Sequence, residues 1–554
     1  MSEETRPIVV ETDRGGATAL LLLALLAVMG LRLAVLGWPA VSDTTESRYA
    51  TIAMRMAETG DWVTPRAYFD GRLVPFLGKP PLQFWLTAGS FRLLGVSEWA
   101  ARLPGYLAGI AMVAVTFAFT RRFWGRVAAA AAAVALASSL LFFGLAGTVT
   151  LDITLAASSA AAMATFAFFA SAREARPRRW WGIALAGALA LGMLAKGPIA
   201  IALAALSVLP WIALNRRWDL LAGFPWVSGT AVFLAGTVPW YLLAERATPG
   251  FLRYFFVNEH ILRYLSRDYG DLYGSGHAWP LGVVWLWLLA GALPWTLVLV
   301  RAGAERLAWR RDRAGDPWLA YALLWALVPP AFFTFARQLL VTYLLPGFSG
   351  LAVLVGVAVA SNDEASRRRV AGLLRVQLAI LALAGVALAV AAVRRTAPGV
   401  AVVAGLVGAV MLFVALSRAV RSGAGLAAAQ AVGVAALVFL ALMAARAELD
   451  DSLSAKTILA RVARDPHLAE RPIVLPLGEE HSAEFYARVY LGRGIEHHTD
   501  VGEGLLAEEL RSAPEDLLIV ERPDWQRVAP ELQAMARPVA ETPNWLALVA
   551  RSAP

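Results

Sequence analysis

The sequence has no cysteine and little charge for its length. Of its 554 residues, 16% are charged and 58% are apolar, whereas soluble globular proteins are roughly 25% charged. Without cysteine, disulfides, thiolate metal sites and cysteine nucleophiles are all excluded. The low charge and a mean hydropathy of +0.59 exclude an ordinary soluble protein and indicate an integral membrane protein.

Lysine is also scarce. Only three of the 50 basic residues are lysines, at positions 79, 196 and 456. The formal net charge is +9, but the arginines form short clusters between apolar runs rather than one basic patch. Such clusters orient helices in a membrane, because basic loops stay in the cytoplasm. We therefore expect the partner of these arginines to be a lipid bilayer and not a nucleic acid.

Apolar runs of about 20 residues, the length that crosses roughly 30 Å of hydrocarbon, recur along the first 445 residues. If the N-terminus is cytoplasmic, the arginine clusters fall in cytoplasmic loops and the short outer connections hold few basic residues. The sequence thus predicts a polytopic α-helical membrane protein with about 13 transmembrane helices. The spans lie near residues 17–37, 101–120, 127–146, 152–171, 180–195, 197–214, 222–243, 280–300, 318–335, 339–360, 372–393, 398–417 and 424–444.

Three segments outside these spans are long enough to fold. Within the transmembrane part, residues 1–445, the outer loops cover residues 38–100 and 244–279. The tail, residues 446–554, is soluble in composition and carries the short apolar runs PIVLPL, DLLIVE and WLALVAR between helical patterns. Because the number of spans is odd, the tail lies outside, and we expect it to form a small extracytoplasmic α/β domain.

The first outer loop contains two amphipathic patterns. Apolar residues from Tyr49 to Met56 recur at helical spacing, and Gly60 ends the run. A second pattern begins after Pro81 and ends at Gly95. Amphipathic helices between two spans lie in the membrane interface. The loop is therefore predicted to form a shelf of two juxtamembrane helices on the outer face.

Charged residues outside the cytoplasmic loops gather at the outer ends of the spans. Charge at the centre of a membrane helix costs about 2.5–3.5 kcal/mol or more, so the position of charge is informative. A transporter is expected to carry ionisable groups near the membrane midplane, and this sequence has few. The residues at the outer edge are Asp43, Glu46, Arg48, Lys79, Asp152, Lys196, Glu259, His260, Arg263 and Arg337.

These residues have a structural and a functional interpretation. Lys79 and Lys196 either extend toward the interface, as long side chains do, or bind a phosphate, which suits a compact ammonium. Asp43 with Glu46 forms a helix cap or supplies a base. Asp152 is either an acid favoured at a helix N-terminus or an alternative base. The run NEHILRY brings the charges on either side of its histidine to one membrane edge, which favours function there.

Eight short motifs occur in one order along residues 17 to about 360. In these motifs and their positions relative to the spans, the chain resembles the lipid A aminoarabinose transferase family. That family belongs to the polyprenyl-phosphate-dependent, protein-O-mannosyltransferase-like glycosyltransferases of the C superfamily. The last three spans and the tail match only in layout. The motifs are TESRYA, GDWVTPR, KPPLQFWL, LDITLA, AKGPIAIAL, NEHILRY, ALPW and TYLLPGF.

The resemblance implies roles for individual residues. Asp152 would lie near the reacting sugar, and Tyr343 would line the donor cavity. His260, next to Glu259, would help to bind a divalent metal, zinc or magnesium. The residues assigned to the lipid phosphate are Arg48, Lys79, Lys196 and Arg337, to which the charge pattern adds Arg263.

Two positions depart from the family. Its first loop reads D-E-x-R-Y, whereas Thr45 stands here at the Asp position, with Glu46 after it and Asp43 two residues before it. Gly78 replaces the acid that precedes the Lys-Pro pair, which would remove a metal ligand. We therefore expect no obligatory cofactor, with the divalent metal as the alternative.

The resemblance implies a monomeric enzyme of the bacterial cytoplasmic (inner) membrane, with its active site on the periplasmic face. We expect it to transfer a sugar from undecaprenyl phosphate to lipid A or to another envelope glycolipid or glycan, with inversion at the sugar. Cations would stabilise the departing phosphate, and Asp43 or Glu46, with Asp152 as the alternative, would act as the base. The competing hypotheses are a protein O-mannosyltransferase-type enzyme, a lipid-linked sugar flippase or transporter, and an inactive lipid-binding scaffold.

Overall fold

The computed structural model describes most of the chain. The expected cytoplasmic N-terminus, most of the loop after residue 301 and part of the second outer loop lie outside the described residues. The described residues are 15–43, 45–69, 72–266, 272, 279–301, 316–395, 397–417, 422–477, 481–497 and 503–551.

Helices make up most of the described chain. Up to residue 265 the elements are α1 (Gly15–Ala34), α2 (Thr45–Thr59), β1 (Arg66–Phe69), β2 (Arg72–Pro75), α3 (Leu82–Leu94), α4 (Glu98–Ser138), α5 (Leu140–Leu145), α6 (Leu151–Ser171), α7 (Ala175–Lys196), α8 (Ile199–Leu214), α9 (Asp219–Ala222), α10 (Trp226–Ala247), α11 (Phe251–Arg253), a π-helix (Tyr254–Leu262) and α12 (Arg263–Leu265). From there to residue 452 they are α13 (Val283–Gly291), α14 (Pro317–Phe333), a 3₁₀-helix (Val341–Gly347), α15 (Phe348–Val359), α16 (Glu364–Arg394), α17 (Pro398–Leu416) and α18 (Gly423–Ser452).

The C-terminal elements are shorter and include strands. They are α19 (Lys456–Val462), α20 (Pro466–Ala469), β3 (Ile473–Leu475), α21 (His481–Leu491), β4 (Glu496–His497), α22 (Glu503–Ser512), β5 (Leu517–Glu521), α23 (Arg522–Trp525), α24 (Pro530–Met535), β6 (Ala536–Glu541) and β7 (Trp545–Ala550).

Eight helical segments of the described chain are long and apolar enough to cross a membrane. Two shorter apolar helices, α8 and α14, accompany them. The expected polytopic α-helical membrane protein is thereby confirmed, whereas the number of 13 spans stays a prediction. The eight segments are α1, α4, α6, α10, the 3₁₀-helix with α15, α16, α17 and α18.

Helix α4 covers two of the predicted spans. Its 41 residues would extend about 60 Å at 1.5 Å per residue, twice the hydrocarbon thickness of roughly 30 Å. Gly125 interrupts the helical geometry with φ 81° and ψ −178°, a conformation that favours glycine because glycine has no Cβ. The spans predicted at residues 101–120 and 127–146 are separated by this break.

The first outer loop folds into α2, the hairpin β1–β2 and α3. Both helices lie where the amphipathic patterns predicted them. Helix α2 is buried almost throughout from Ser47 to Met56, so it does not lie on the membrane with one free face. The hairpin, which pairs Phe69 with Arg72, adds an element that the sequence patterns did not predict. The loop is therefore a packed unit rather than an open shelf.

The tail contains a mixed five-stranded sheet in the order β4-β3-β5-β7-β6. Strand β3 pairs in parallel with β4 and β5. Strand β7 pairs antiparallel with β5 and β6, with Ala547 opposite Ile519. The three apolar runs of the tail become β3, β5 and β7, which are buried. Strands covered on both faces read as continuous apolar runs rather than alternating ones.

The sheet unit and the first outer loop share one hydrophobic core. Phe91 of α3 packs against Phe485 of α21, with ring centroids 6.3 Å apart. An ion pair joins Arg55 of α2 to Glu484 of α21. Helix α18 continues across residue 446 to Ser452, and the sheet unit after it packs on the first outer loop.

Asp43 connects the first loop to the start of α21. Its Oδ1 accepts hydrogen bonds from the backbone N–H of Ser482, at 2.9 Å, and from the Ser47 hydroxyl. Its Oδ2 is buried without a hydrogen-bond partner among the described residues. Burial raises the pKa of Asp43 to about 6, against the opposing effect of these hydrogen bonds. The carboxyl group thus acts as a buried cap for a helix of the tail.

A buried ion pair joins the end of α1, the start of α2 and helix α4. Arg102 donates to both carboxylate oxygens of Glu46, at 2.8 and 2.7 Å, and to three carbonyls between residues 36 and 40. Glu46 also accepts from the backbone N–H groups of Ser42 and Val149. The side chain of Arg102 is only 3% exposed. This pair attaches the first loop to the membrane helices.

Arg102→Gln is expected to destabilise the protein strongly, because it leaves Glu46 buried without its charge partner. Breaking a buried ion pair costs about 3–5 kcal/mol. Arg367→Gln, which removes an exposed pair with Glu364, should cost at most about 1 kcal/mol. Thermal unfolding midpoints of the two purified variants in detergent measure the difference. Equal midpoints would rule out the attachment by Arg102.

Asp43→Asn is expected to raise the unfolding midpoint near neutral pH. Because the folded pKa of about 6 lies above the ordinary value of 3.8, the stability linked to Asp43 is complete below about pH 4 and is lost as the pH rises through about 6. Asparagine keeps an oxygen for Ser482 but does not ionise. The measurement is the unfolding midpoint of wild type and variant between about pH 4 and 8.

The control for this experiment is Glu58→Gln, since Glu58 is an exposed acid of the same outer loop and pairs with Arg488, which like Ser482 lies on α21. It should leave the pH profile close to that of the wild type. A lower midpoint for Asp43→Asn at about pH 8 would contradict the raised pKa of Asp43.

Candidate active site

A cavity of about 200 Å³ opens where the turn between α7 and α8 meets the π-helix and the end of α14. One part of its wall is ionic and the other is apolar. Such a cavity suits a molecule with a charged head and an apolar chain. The ionic wall consists of Lys79, Lys196, Glu259, His260 and Arg263, and the apolar wall includes Leu155, Ile199, Phe332, Phe333 and Tyr343.

Lys196 is the last residue of α7, and Asp152 lies in the first turn of α6. The Lys196 ammonium forms an ion pair with Oδ1 of Asp152. It also lies 3.9 Å from the centroid of the Tyr343 ring, which is a cation–π contact. The hydroxyl of Thr150 is 3.2 Å from Oδ2 of Asp152. Two helix ends and a neighbouring hydroxyl therefore hold this pair in a defined position.

Gly197 allows the π-helix to pack against the end of α7. Its φ is +83°, and a Cβ there would lie 2.6 Å from the Phe255 ring and 2.9 Å from Nε2 of His260, so only glycine fits. Nδ1 of His260 is 2.7 Å from the Phe255 carbonyl oxygen, and Nε2 is 3.1 Å from the Lys196 carbonyl oxygen. Burial lowers the pKa of His260 despite these two carbonyls. The imidazole thus packs between the π-helix and the turn that carries Lys196.

Glu259 holds two cations of the cavity wall. Its Oε2 accepts from Lys79 at 2.6 Å and from Arg263, four residues later, at 3.0 Å. Burial raises the pKa of Glu259, but the charges of Lys79 and Arg263 lower it more, so the net shift is downward. Burial lowers the pKa of Lys79, and Glu259 opposes that shift. The carboxylate therefore stays ionised between its two partners.

Cations outnumber carboxylates in this group. Among the described residues, Lys79, Lys196 and Arg263 form ion pairs with two carboxylates, Glu259 and Asp152. The described wall of the cavity therefore holds more cations than carboxylates in a low-dielectric surrounding, where charge acts over longer distances than in water. An anionic group is the ligand that this balance favours.

Arg48 adds a further cation beside the cavity. It lies on α2, its guanidinium is 5.1 Å from the centroid of the Phe69 ring, and its Nε is buried without a hydrogen-bond partner among the described residues. Arg48, Asp152 and Arg263 all act electrostatically on the phenol of Tyr49, which places this face of α2 close to the ionic wall. Within the described chain Arg48 pairs with no carboxylate, so it is available to an anion.

The residues expected to hold a divalent metal do not fit one. Oε2 of Glu259 already accepts from two cations, and its Oε1 is 3.3 Å from the Tyr254 hydroxyl. Both ring nitrogens of His260 face backbone carbonyl oxygens. Among the residues that the structure describes, no group of three or more His, Asp or Glu side chains could hold a metal ion. No step of the chemistry below uses a metal.

Two acids singled out in the sequence lie elsewhere. Asp43 caps a helix of the tail, and Glu46 is committed to Arg102 and two backbone N–H groups. Burial raises the pKa of Glu46, but Arg102 lowers it more. The contacts of both acids favour a structural role over the predicted role as base. Arg337 is exposed, and its backbone N–H donates to the Tyr264 carbonyl.

Apart from Tyr343, the apolar wall was not recognised in the sequence. Phe332 and Phe333 end a membrane helix, where aromatic residues are common, so their composition does not distinguish a ligand surface from a lipid surface. Tyr264 meets them because its hydroxyl donates to the Phe332 carbonyl at 2.7 Å. A usable signal was the cluster FFTFARQ directly before a motif of the site.

Comparison with known proteins finds similarity to named transferases. Residues 17–255 match the family described as dolichyl-phosphate-mannose-protein mannosyltransferase. The undecaprenyl phosphate-alpha-4-amino-4-deoxy-L-arabinose arabinosyl transferase of Edwardsiella ictaluri is 31% identical over 352 residues, which are 62% of this chain and 61% of that protein. The protein of the same name from Pseudomonas aeruginosa strain UCBPP-PA14 is 32% identical over 350 residues, 62% of this chain and 60% of that one.

The fold has a solved counterpart over nearly the whole chain. The crystal structure of ArnT from Cupriavidus metallidurans bound to undecaprenyl phosphate matches with a TM-score of 0.79 at 24% identity and covers 97% of this chain and 98% of that one. The curated sequence relatives are matched over about three fifths of their own length. The resemblance found in the motifs is confirmed: over about three fifths of its length the chain is similar in sequence to the aminoarabinose transferases, and nearly the whole chain has the fold of ArnT.

Proposed function

We propose that the protein is a membrane glycosyltransferase that moves a sugar from a polyprenyl-phosphate-linked donor to an envelope acceptor, such as lipid A or another glycolipid or glycan. The observation that carries the proposal is the meeting of Lys79, Lys196 and Arg263 with an apolar wall in one cavity. The relatives named for undecaprenyl phosphate support this carrier.

The ionic wall suits the leaving group of such a reaction. When the sugar leaves, negative charge develops on the lipid phosphate, and fixed cations in a water-poor site stabilise that charge without reorganisation. Arg263 can bind two phosphate oxygens at once, whereas Lys79 and Lys196 act as point charges. The isoprene units next to the phosphate would contact Phe332 and Phe333, where buried apolar area contributes about 25 cal/mol per Å².

The arrangement of helices supports thirteen crossings with the active site on the periplasmic side. The kink at Gly125 divides α4 into two spans, and α7, α8 and α14 lie at further predicted positions, as does the short helix α13 within the predicted span 280–300. The arginine clusters then fall on the cytoplasmic face. The sheet unit packs on the first loop and therefore lies outside, as the odd number of spans requires. We infer a monomer in the bacterial inner membrane.

The chemistry is a single displacement that inverts the sugar. If the acceptor is a hydroxyl, a carboxylate takes its proton as the bond to the sugar carbon forms and the bond to phosphate breaks. Asp152 is the favoured base, because its pair with Lys196 places it next to the phosphate-binding wall. When the phosphate binds, Lys196 has a second anionic partner, and its ion pair with Asp152 weakens. If the acceptor is an ionised phosphate, this base is less necessary.

Protein O-mannosylation is the second candidate, because residues 17–255 match the mannosyltransferase family. It uses the same kind of donor and differs in the acceptor. A flippase is less favoured, since the cations of the cavity lie at helix ends rather than at the middle of a span. A scaffold without activity would not require ion pairs poised at a cavity.

Deletion of the gene should remove one sugar from one class of envelope molecule. Mass spectrometry of lipid A, glycans and surface proteins from the deletion strain identifies that class and the sugar. When the deletion strain expresses Lys79→Gln or Arg263→Gln, the transfer rate should be about 100-fold below that with the wild type. Each substitution removes a cation that stabilises the leaving phosphate. Transfer is measured in isolated membranes with a chelator present, since the site does not fit a metal.

The matched control is Arg253→Gln, because Arg253 is exposed on the same outer loop and should leave transfer unchanged. An unchanged envelope in the deletion strain would contradict the proposed function. Activity that required added magnesium would contradict the inference of metal-free chemistry.

Asp152→Asn should lower kcat by about 10²- to 10⁴-fold, because a positioned base contributes that much. Lys196→Gln should instead raise the KM for the donor, since its cation holds phosphate. Both are measured in membranes with the donor and acceptor identified above. Asp43→Asn and Glu46→Gln, normalised to folded protein, should retain most of kcat. Full activity of Asp152→Asn would exclude it as the base.

A further inference from the structure

A second cavity lies at the far ends of the helices that hold the active site. Asp152 opens α6 and Lys196 ends α7, whereas this cavity is lined by the end of α6 and the start of α7. The 21 residues of α6 span about 30 Å, which is the thickness of the hydrocarbon core. The two cavities therefore lie at opposite faces of the membrane region.

The second cavity is an open groove of about 830 Å³, within the range of about 300–1,000 Å³ that ligand sites occupy. Arg121 and Arg122, just before the kink in α4, and Arg173, between α6 and α7, line it. Glu174 is the carboxylate among its described lining residues. Three guanidinium groups thus face one carboxylate, so the groove favours an anion.

These arginines differ from others on the same face. In the described part of the chain, Arg121, Arg122 and Arg173 make no ion pair. Three other arginines that the sequence assigns to the cytoplasmic face are neutralised by carboxylates next to them. These pairs join Arg217 to Asp219 at 2.9 Å and join both Arg367 and Arg368 to Glu364, at 3.2 and 2.8 Å. Orientation in the membrane requires only that the arginines lie on one face. It does not require three arginines without ion pairs among the described residues to line one groove.

The rest of the groove is apolar. Phe117 and Phe168 contribute to its wall, and Trp181 lies on its rim with 38% of its surface exposed. Trp180 beside it is 62% exposed. Tryptophan prefers the level of the lipid headgroups, so the groove opens at that level, where a headgroup and the first part of its acyl chains meet the protein.

We propose that this groove binds a phospholipid with an anionic headgroup from the cytoplasmic leaflet. The lipid phosphate would accept paired hydrogen bonds from Arg121, Arg122 and Arg173, a geometry that guanidinium groups favour. The acyl chains would pass along Phe117 and Phe168. A free phosphate ion would leave this apolar wall uncovered, and a zwitterionic lipid would leave the excess positive charge without compensation. The bound lipid would brace one end of α6 and α7, whose other ends carry the active-site ion pair.

The test measures lipid binding by the full-length protein, purified in detergent and stripped of lipid. Native mass spectrometry follows titration with phosphatidylglycerol and, separately, with phosphatidylcholine. The wild type should prefer phosphatidylglycerol. The variant R121Q/R122Q/R173Q should bind it about 10- to 100-fold more weakly, because each basic residue near an anionic lipid contributes up to about a fivefold change in affinity; binding of phosphatidylcholine should be unchanged.

The matched control is R217Q/R367Q/R368Q, which removes the same number of arginines from the same predicted face but takes them from ion pairs. It should keep the preference of the wild type. The inference is overturned if the groove variant keeps its preference for phosphatidylglycerol, or if the control loses it to the same extent. Unfolding midpoints show that each variant is folded, and the single variant R122Q gives the same comparison if the triple variant is unstable.

Discussion

The buried contact between Arg102 and Glu46 is the constraint on which the architecture of the site depends. It gathers the end of α1, the first outer loop and α4 around two charges that have left water. Such a pair is weak evidence for stability by itself, because desolvation offsets much of the attraction. Its importance is geometric: once buried, each charge is tolerated only in the presence of the other. Glu46 also receives the N–H of Val149, three residues before Asp152, which links the pair to the cavity.

The candidate active-site cavity is also built on buried ion pairs, but its ratio of cations to carboxylates differs. Lys196 and Asp152 neutralise each other, and Glu259 neutralises part of the charge of Lys79 and Arg263. An anionic ligand, as proposed, would compensate the cation that these pairs leave in excess among the described residues. The ion pairs keep the cations in place before that ligand arrives. Charges placed at helix ends also avoid the cost of charge at the centre of a span.

The tail packs on the first outer loop. The backbone N–H of Ser482, at the start of α21, donates to the carboxyl group of Asp43, which also accepts from the Ser47 hydroxyl. The hydrophobic core of the tail continues into that of the first loop. The loop is therefore held between the membrane helices and the sheet unit. This explains why Asp43 and Glu46, which resemble catalytic acids in the sequence, are occupied by structural contacts.

The sequence by itself determined the membrane class, the helices and the outer-edge position of the charged residues, because hydropathy, helix periodicity and turn-forming residues act over short stretches of chain. Gly60 and Gly95 ended helices where their local sequence predicted it. The lysines at positions 79 and 196 could likewise be placed at a membrane edge from local sequence alone.

Only the tertiary structure decided which charges meet. Lys79 and its partner Glu259 are 180 residues apart, Asp152 and Lys196 are 44 apart, and Asp43 and Ser482 are 439 apart. No local pattern encodes such pairings, since they follow from how helices pack and from the close approach that Gly197 permits. For that reason the sequence supplied three candidate bases, and helix packing left Asp152 beside the cavity while it buried the other two in structural contacts.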